Sequence, residues 1–507
     1  MLPIKISKVK INILANYASS GWSVLMSLLF VPLYIKFMGI EAYGLIGFFA
    51  SLQTILYLLD MGLSVTFQRE IARLSAFPDT AQTMRNLLRT FEMVYWGIAF
   101  LVGIAFLLLA PVFATHWLKP GNLPNTIIQI SIMLMGVGFV LRWPGAVYAG
   151  GLSGQQRLVL SNILNIVFST LRGAGAVLLL WLVSPTIIAF FIWQAVINLL
   201  QTLTYSFYLD KTLPQAPDKI VFDISHLQNM WKFAAGVTGI TFFSTILTQM
   251  DKILLSKLLS LEYFGYYVLA GTVASSMYAL LGPVAGAVFP RFSQLIAAKN
   301  ELALKGLYHA TCQMIAIVIL PAGLVICFFS SEILFLWTHN QSIAQHAHIL
   351  LSVLIIGSAL NGLMVMPYQL QIAYGWTRLV FIFNLCAVIV LVPMIIILAK
   401  HFGAVGAAWA WVLLNMSYVI IIVQIMHRKL LIGEEWKWYW NDFARPLAST
   451  IVIVFLARRI LPQTESKLIM AIFVTGTYLV SACCSIASVP FFWNSWRYSL
   501  NKLLTAH

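Results

Sequence analysis

Three cations stand inside long apolar stretches of this chain. Arg142 ends MGVGFVLR, Arg172 sits within NIVFSTLRGAGAVLLLW, and Lys252 follows TQMD. Two acids share such surroundings: Asp60 in LLDMGLSV and Asp251 beside Lys252. A charge at the centre of a bilayer costs roughly 2.5–3.5 kcal/mol even on insertion scales, so such groups face a polar cavity or one another. Three cations against two acids leave a positive excess, which suits an anion. A planar guanidinium matches phosphate oxygens two at a time. Helix pairing explains Asp60 and Asp251 equally well, and coupling to an ion is the other reading. At the ends of apolar runs, FQREIAR supplies Arg69 and Arg73, and FPRFSQ supplies Arg291. Membrane topology alone would put basic residues there, and substrate uptake at a cytoplasmic mouth is the alternative.

Other chemistry is thinly represented. No phosphate-cradling G-x-x-x-x-G-K-[ST], no G-x-S-x-G and no H-E-x-x-H occurs. His346 and His348 form H-x-H without further ligands near them, so no metal is expected. The five cysteines all lie in apolar runs, lack C-x-x-C spacing, and read as small buried hydrophobes.

The elements that must position these charges follow from composition. The 507 residues are 61% hydrophobic and only 9% charged, with mean hydropathy +0.89. A soluble protein carries about 25% charge, so this surface must face lipid. A hydrocarbon core about 30 Å thick takes roughly 20 apolar residues per helix. On that measure the runs are 12–35, 43–68, 91–114, 126–150, 158–183, 186–209, 232–256, 263–289, 309–335, 346–371, 379–400, 403–426, 445–460 and 467–491. They are too long for barrel strands and lack strict alternation, so an all-α polytopic protein with about fourteen transmembrane helices is predicted. The first run is interrupted by Asn12, Asn16, Ser19 and Ser20 and reads as a retained span rather than a removable signal.

Fourteen spans put both ends on one face. That face would hold 21 Lys and Arg, among them Lys5, Lys8, Lys10, Lys232, Arg497 and Lys502, against 7 on the other. The bias predicts cytoplasmic termini and accounts for most of the +15 net charge. Topology and anionic lipid explain that charge without nucleic acid.

Part of the sequence occurs twice. KFMGIEAYG at 36–44 returns as KLLSLEYFG at 257–265, so Lys36, Glu41 and Gly44 recur as Lys257, Glu262 and Gly265. GQQRLV at 154–159 returns as GWTRLV at 375–380. Both pairs share an offset of 221 residues, which marks an internal duplication. Six spans separate equivalent positions, so the two six-helix repeats enter the membrane in the same sense. The first motif marks an external turn and the second a cytoplasmic one. The expected organisation is a six-helix bundle over 1–210, a cytoplasmic linker over 211–230, a second six-helix bundle over 231–430, and two additional helices with a cytoplasmic tail over 431–507. Trp436, Trp438 and Trp440 in EEWKWYWNDF form an interfacial belt before the last pair.

Three stretches carry a resemblance. NYASSGWSVLMSLLFVPLYIKFMGIEAYGLIGFFASL, LLDMGLSVTFQREIAR and QMDKILLSKLLSLEYFGYYVLA resemble the bacterial polysaccharide flippases of the O-antigen type. Their superfamily also holds the peptidoglycan lipid flippases and the multidrug and toxin extrusion antiporters. The resemblance implies a transporter rather than an enzyme, in the bacterial inner membrane. It would move an undecaprenyl-diphosphate-linked oligosaccharide between leaflets by alternating access. It also implies that Arg142, Arg172 and Lys252 hold the diphosphate in a central cavity. No cofactor is expected beyond H+ or Na+ as a coupling ion, for which Asp60 and Asp251 are candidates. Expected partners are the lipid-linked glycan, membrane lipids, a polysaccharide polymerase and a chain-length regulator. Sugar identity would rest on adaptable side chains such as Asn165, Gln194, Asn198 and Asn361. Three alternatives remain at this stage. A cation antiporter would want an acidic cavity, a polymerase or ligase would want a large external loop, and a flippase for the peptidoglycan precursor is hardly separable.

Overall fold

The computed structural model describes residues 6–77, 79–223, 225–461 and 466–490. Both chain ends lie outside these, as do Lys5, Arg497 and Lys502 and the side chains of Lys8, Lys10 and Lys232, on which the expected cytoplasmic charge partly rests. All regular structure among the described residues is helical. The helices are α1 Ile6–Leu56, α2 Leu63–Leu74, α3 Ala81–Val112, α4 Asn125–Arg142, α5 Gly145–Gly154, α6 Leu158–Leu182, α7 Ile187–Thr212, α8 Ser225–Leu258 and α9 Leu261–Ser276. They continue as α10 Leu281–Ala297, α11 Glu301–Phe328, α12 Ser330–Thr338, α13 Gln341–Leu363, α14 Val365–Ala373, α15 Thr377–Ser417, α16 Val423–Leu430, the single turn α17 Glu435–Lys437, α18 Arg445–Arg459 and α19 Lys467–Ser488. Among the described residues nine helical stretches are long and apolar enough to cross a membrane, or ten if the bent α9–α10 pair counts as one crossing.

The expected spans map onto these elements with instructive breaks. The first two fall in α1, which turns at Gly39, where φ is +85°. The eleventh and twelfth fall in α15, which turns at Gly403, where φ is +61°. Glycine adopts this left-handed region without a side-chain clash. The second span does not run on to residue 68. It breaks at a 3-10 turn, Tyr57–Asp60, followed by left-handed Met61 and Gly62. The fourth span breaks at Trp143–Pro144, because proline cannot donate the next helical hydrogen bond. Both breaks recur in the second half. A 3-10 turn occupies Met277–Leu280, and Met364, which separates α13 from α14, stands 221 residues after Trp143. The interruptions were duplicated along with the helices. Several helix starts are capped by side chains. Asn300, Asn340 and Ser466 accept the backbone N–H of Ala303, Ile343 and Ile469.

By packing, the chain divides into Met1–Gly265 and Tyr266–His507. In the first unit α1 lies along α6, and α4 packs against both α3 and α7. The segment after α7 is not a loose linker. Arg85 of α3 donates to the carbonyls of Asp210, Leu213 and Pro214 at 2.9–3.0 Å and pairs with the Asp210 carboxylate. Further along α3, Gln82, Asn86 and Thr90 accept the backbone N–H of Asp218, Val221 and Asp223, each at 3.0 Å. A polar stripe at spacing four thus binds residues 213–223 as an extended strap. In the second unit α13 packs against α11 and α15, while α18 and α19 pack on each other and on α11.

The duplicated K-x4-E-x-x-G turns meet within the first unit. A Cβ on Gly44 would lie 2.4 Å from the Leu261 carbonyl oxygen, and one on Gly265 would lie 2.4 Å from that of Ile40. Ile40 and Leu261 are themselves 221 apart, so the contact is reciprocal. Glu41 is buried, and its carboxylate accepts the N–H groups of Gly121, Asn122 and Leu123 at 2.7, 3.0 and 3.4 Å. Its repeat partner Glu262 is exposed. Lys257 lies over the Trp117 ring at 4.9 Å. Glu41 therefore clamps the turn at residues 121–123, and Lys257 lies over the neighbouring Trp117.

Gly44→Ala is expected to lower the melting temperature of the purified protein, because backbone oxygen cannot move aside. Gly97→Ala in α3, where nothing lies within 4 Å, should leave it unchanged or raise it slightly. Thermal unfolding in one detergent compares the two.

Candidate functional site

Arg172 lies midway along α6 and is half-buried. Its Nη2 donates to Gln201 Oε1 at 2.6 Å and to Asn198 Oδ1 at 3.1 Å, both on α7. Asn198 passes the bonding on to the Gly138 carbonyl of α4 at 3.1 Å. The Arg172 Nε is buried without a hydrogen-bond partner among the described residues. Local sequence permits this crowding. A Cβ on Gly173 would meet the Phe30 ring at 2.3 Å, and one on Gly175 would meet Trp193 at 2.2 Å. The glycines of RGAG thus let α1 and α7 close on the helix that carries the arginine. Tyr34 of α1 donates to the Gly173 carbonyl at 3.3 Å.

Arg142 ends α4, half-buried. It lies close enough for the two guanidinium charges to repel each other, with Tyr34, Tyr57 and Tyr205 sharing the neighbourhood. The following residue, Trp143, is buried and packs against Tyr57, Tyr95 and Phe139 at centroid distances of 5.6, 5.7 and 5.0 Å. Tyr57 remains 38% exposed while its ring stacks on Trp143. Among the described residues no carboxylate pairs with Arg142, Arg172 or Lys252. The site is a pair of like charges, of which Arg172 is solvated by the Asn198 and Gln201 amides. An anion placed there would relieve their repulsion.

The other sequence candidates fall elsewhere. Lys252 is half-buried on α8, and its ammonium donates to the Thr248 carbonyl at 3.1 Å. Asp251 beside it is half-buried too. Asp60 accepts the hydroxyl of Tyr95, and the hydroxyl and N–H of Ser64 at 2.8 and 3.3 Å. It thereby caps the start of α2, where the helix dipole favours a negative charge. Arg69 and Arg291 are exposed, and Arg291 donates to Gln294 at 3.1 Å. Asn165 is used between helices, donating to Ser19 and Ser23. Asn361 donates to Asn415 at 2.7 Å. Gln201 and the three tyrosines escaped sequence reading, because uncharged polar groups in an apolar run look like ordinary helix contacts. A signal existed, since Asn198, Gln201 and Tyr205 lie three and four residues apart on one helix face.

The duplication was not kept at this site. At the 221-residue offset Arg142, Arg172, Asn198 and Gln201 correspond to Leu363, Pro393, Val419 and Ile422. Only the first half carries the cationic cluster.

An all-helical bundle with charged and amide groups inside apolar spans is the build of a polytopic membrane transporter, and the comparisons agree. Residues 9–296, more than half of the chain, match the family described as "Polysaccharide biosynthesis protein", and residues 238–397 match the MatE family. The chain belongs to the polysaccharide biosynthesis protein family, whose members are transporters and not enzymes, within the multidrug/oligosaccharidyl-lipid/polysaccharide exporter superfamily. A Shigella flexneri protein named "Putative O-antigen transporter" is 20% identical over 378 residues, covering 74% of this chain and 87% of that one. Among solved structures, the lipid II flippase MurJ in an inward closed conformation superposes with a TM-score of 0.66 at 16% identity, covering 93% of this chain and 98% of that one. An inward-facing multidrug resistance transporter of the MATE family follows at 0.64 and 14%, covering 82% and 96%. These two likenesses speak to the fold.

Gln201→Leu leaves the Arg172 guanidinium with one side-chain acceptor, which is expected to destabilise the protein by about 1–3 kcal/mol. Gln201→Glu supplies a countercharge and should raise the melting temperature while weakening anion binding. Thermal shift with and without inorganic pyrophosphate separates the two effects.

Proposed function

We propose that the protein flips an undecaprenyl-diphosphate-linked oligosaccharide, an O-antigen or related surface-polysaccharide unit, from the cytoplasmic to the periplasmic leaflet of the bacterial inner membrane. Fourteen crossings in two parallel six-helix repeats plus an added helix pair would carry it out by alternating access, with both termini cytoplasmic. The observation that carries this reading is Arg172, hydrogen-bonded to the neutral amides of Asn198 and Gln201 within apolar helices, with Arg142 near enough to repel it and no carboxylate paired with either among the described residues. A diphosphate brings the charge that this pair lacks, and guanidinium donors can replace the water it sheds. Tyr57, partly exposed nearby, is proposed as a contact for the first sugar. Family membership and the Shigella flexneri relative support the substrate class. Lys252, on a different helix, is proposed as an additional phosphate contact. Exposed Arg69 is proposed as a cytoplasmic entry contact in the first unit, and exposed Arg291 separately as one in the second.

Ion coupling is assigned more narrowly than the sequence suggested. Asp60 is engaged as a helix cap, which supports a pairing role there. An extrusion antiporter for organic cations finds no support in a site with two arginines that no carboxylate pairs with among the described residues.

The test is export of a lipid-linked glycan in cells that lack their own flippase for it, at matched protein levels. Arg172→Gln and Arg142→Gln are expected to reduce periplasmic product at least tenfold, and Lys36→Gln to leave it unchanged. Full export by Arg172→Gln would overturn the assignment. Rescue of peptidoglycan precursor translocation instead would redirect it to that lipid.

A further inference from the structure

A second polar cluster lies in the unit Tyr266–His507 and takes no part in the site above. His309 of α11 is held between two carboxylates of the segment that leads into α18. Its Nδ1 lies 2.5 Å from Asp442 Oδ2, and its Nε2 lies 3.4 Å from Glu434 Oε2. The Asp442 side chain is 1% exposed, and its other oxygen accepts Gln313 Nε2 at 2.7 Å. Lys305, His309 and Gln313 are four residues apart, so α11 presents one polar stripe to this segment. Lys305 and Lys437 both pair with Glu434, at 3.3 and 2.8 Å.

The geometry favours a protonated His309–Asp442 pair. A neutral imidazole has one N–H and one lone pair. Here both ring nitrogens face carboxylate oxygens, so a neutral ring would set its lone pair against a negative charge. An imidazolium donates from Nδ1 to Asp442, keeps Nε2 within ion-pair range of Glu434 though without a hydrogen bond there, and gives buried Asp442 the only cation in contact with it among the described residues. The two lysines are engaged by Glu434 and not by Asp442. Burial pushes the Glu434 carboxyl up, but Lys437, Lys305 and His309 outweigh it and hold it below the ordinary carboxylate range. Glu434 therefore stays charged at neutral pH, and the exchangeable proton belongs to the His309–Asp442 pair.

We infer that His309 and Asp442 form a proton-binding site that latches residues 434–444 onto α11, and that loss of this proton releases the latch. The segment is poised for such a role. Residues 438–444 form a π-helical turn rather than a regular helix, and that turn packs on both α11 and α18. The other titratable groups near the pair are few. Tyr308 and Cys312 are fully covered on α11, and Glu435 and Tyr439 lie on the docked segment. His427 of α16 is buried, and its Nδ1 lies 2.8 Å from the Val423 carbonyl, so that nitrogen carries an N–H. It is the one other group expected to titrate in the same range.

Cys312 reports on the latch. It is 4% exposed, next to Trp438 and Asp442. The experiment uses the full chain with Cys327, Cys386, Cys483 and Cys484 changed to Ser, and measures labelling of Cys312 by N-ethylmaleimide between pH 5.5 and 9. His309→Gln in the same background cannot hold the proton and is expected to label readily at every pH. Dividing the parent rate by the His309→Gln rate removes the intrinsic ionisation of the thiol. The ratio is expected to rise from a tenth or less at pH 5.5 to near one at pH 9. Asp442→Asn needs no countercharge and should stay latched, with slow labelling throughout, so the two variants depart in opposite directions. A ratio constant within twofold across this range overturns the inference. So does an Asp442→Asn protein that keeps the parent's pH profile, or a His427→Gln protein that loses it.

Discussion

A guanidinium among apolar helices has to be solvated by the protein that holds it, and the first half of this chain is arranged around that requirement. Arg172 receives its solvation from Gln201 and Asn198 of α7. To reach them, α6 must run close to α7 and α1, and Gly173 and Gly175 remove the atoms that would prevent it. The same arrangement brings the C-terminal end of α4, and with it Arg142, into range. A carboxylate would have solved the electrostatic problem more simply. Among the described residues none pairs with either arginine, so the pair keeps its positive charge.

The duplication gives the site its frame but not its chemistry. Both halves break their second helix at a 3-10 turn and their fourth at a residue just past Arg142 or Leu363. Breaks of this kind end hydrogen-bond ladders inside apolar segments, where no water can complete them. They persist because neighbouring side chains supply partners, as Asp60 does for Ser64. In the second half the equivalents of the cationic residues are apolar. Ionisable groups gather there at the other end of α11, where His309, Glu434 and Asp442 join the additional segment to the bundle. One half thus presents positive charge that no carboxylate pairs with among the described residues, and the other a cluster in which each carboxylate has a cationic partner.

Glu41 shows how a repeated motif can diverge in role. In KFMGIEAYG its carboxylate closes a turn through three backbone N–H groups, whereas Glu262 of KLLSLEYFG is exposed. What both copies retain is the glycine, because a reciprocal approach of backbone to backbone leaves no room for a side chain at either position.

The sequence alone determined the helical class, the approximate positions of the spans, the 221-residue repeat, and which charges stand in apolar surroundings. Each of these is local or periodic: twenty apolar residues satisfy their own hydrogen bonds as a helix wherever they pack, and a repeat needs no contact to be seen. It missed Gln201, Tyr57 and the strap of residues 213–223 along Gln82, Asn86 and Thr90. It read the tryptophan-rich segment before α18 as an interfacial belt, without its link to His309. Those features join residues more than twenty, and often more than a hundred, positions apart. Whether an amide in an apolar run solvates an arginine or only ties two helices is decided by which helix faces pack together, and that follows from the tertiary structure.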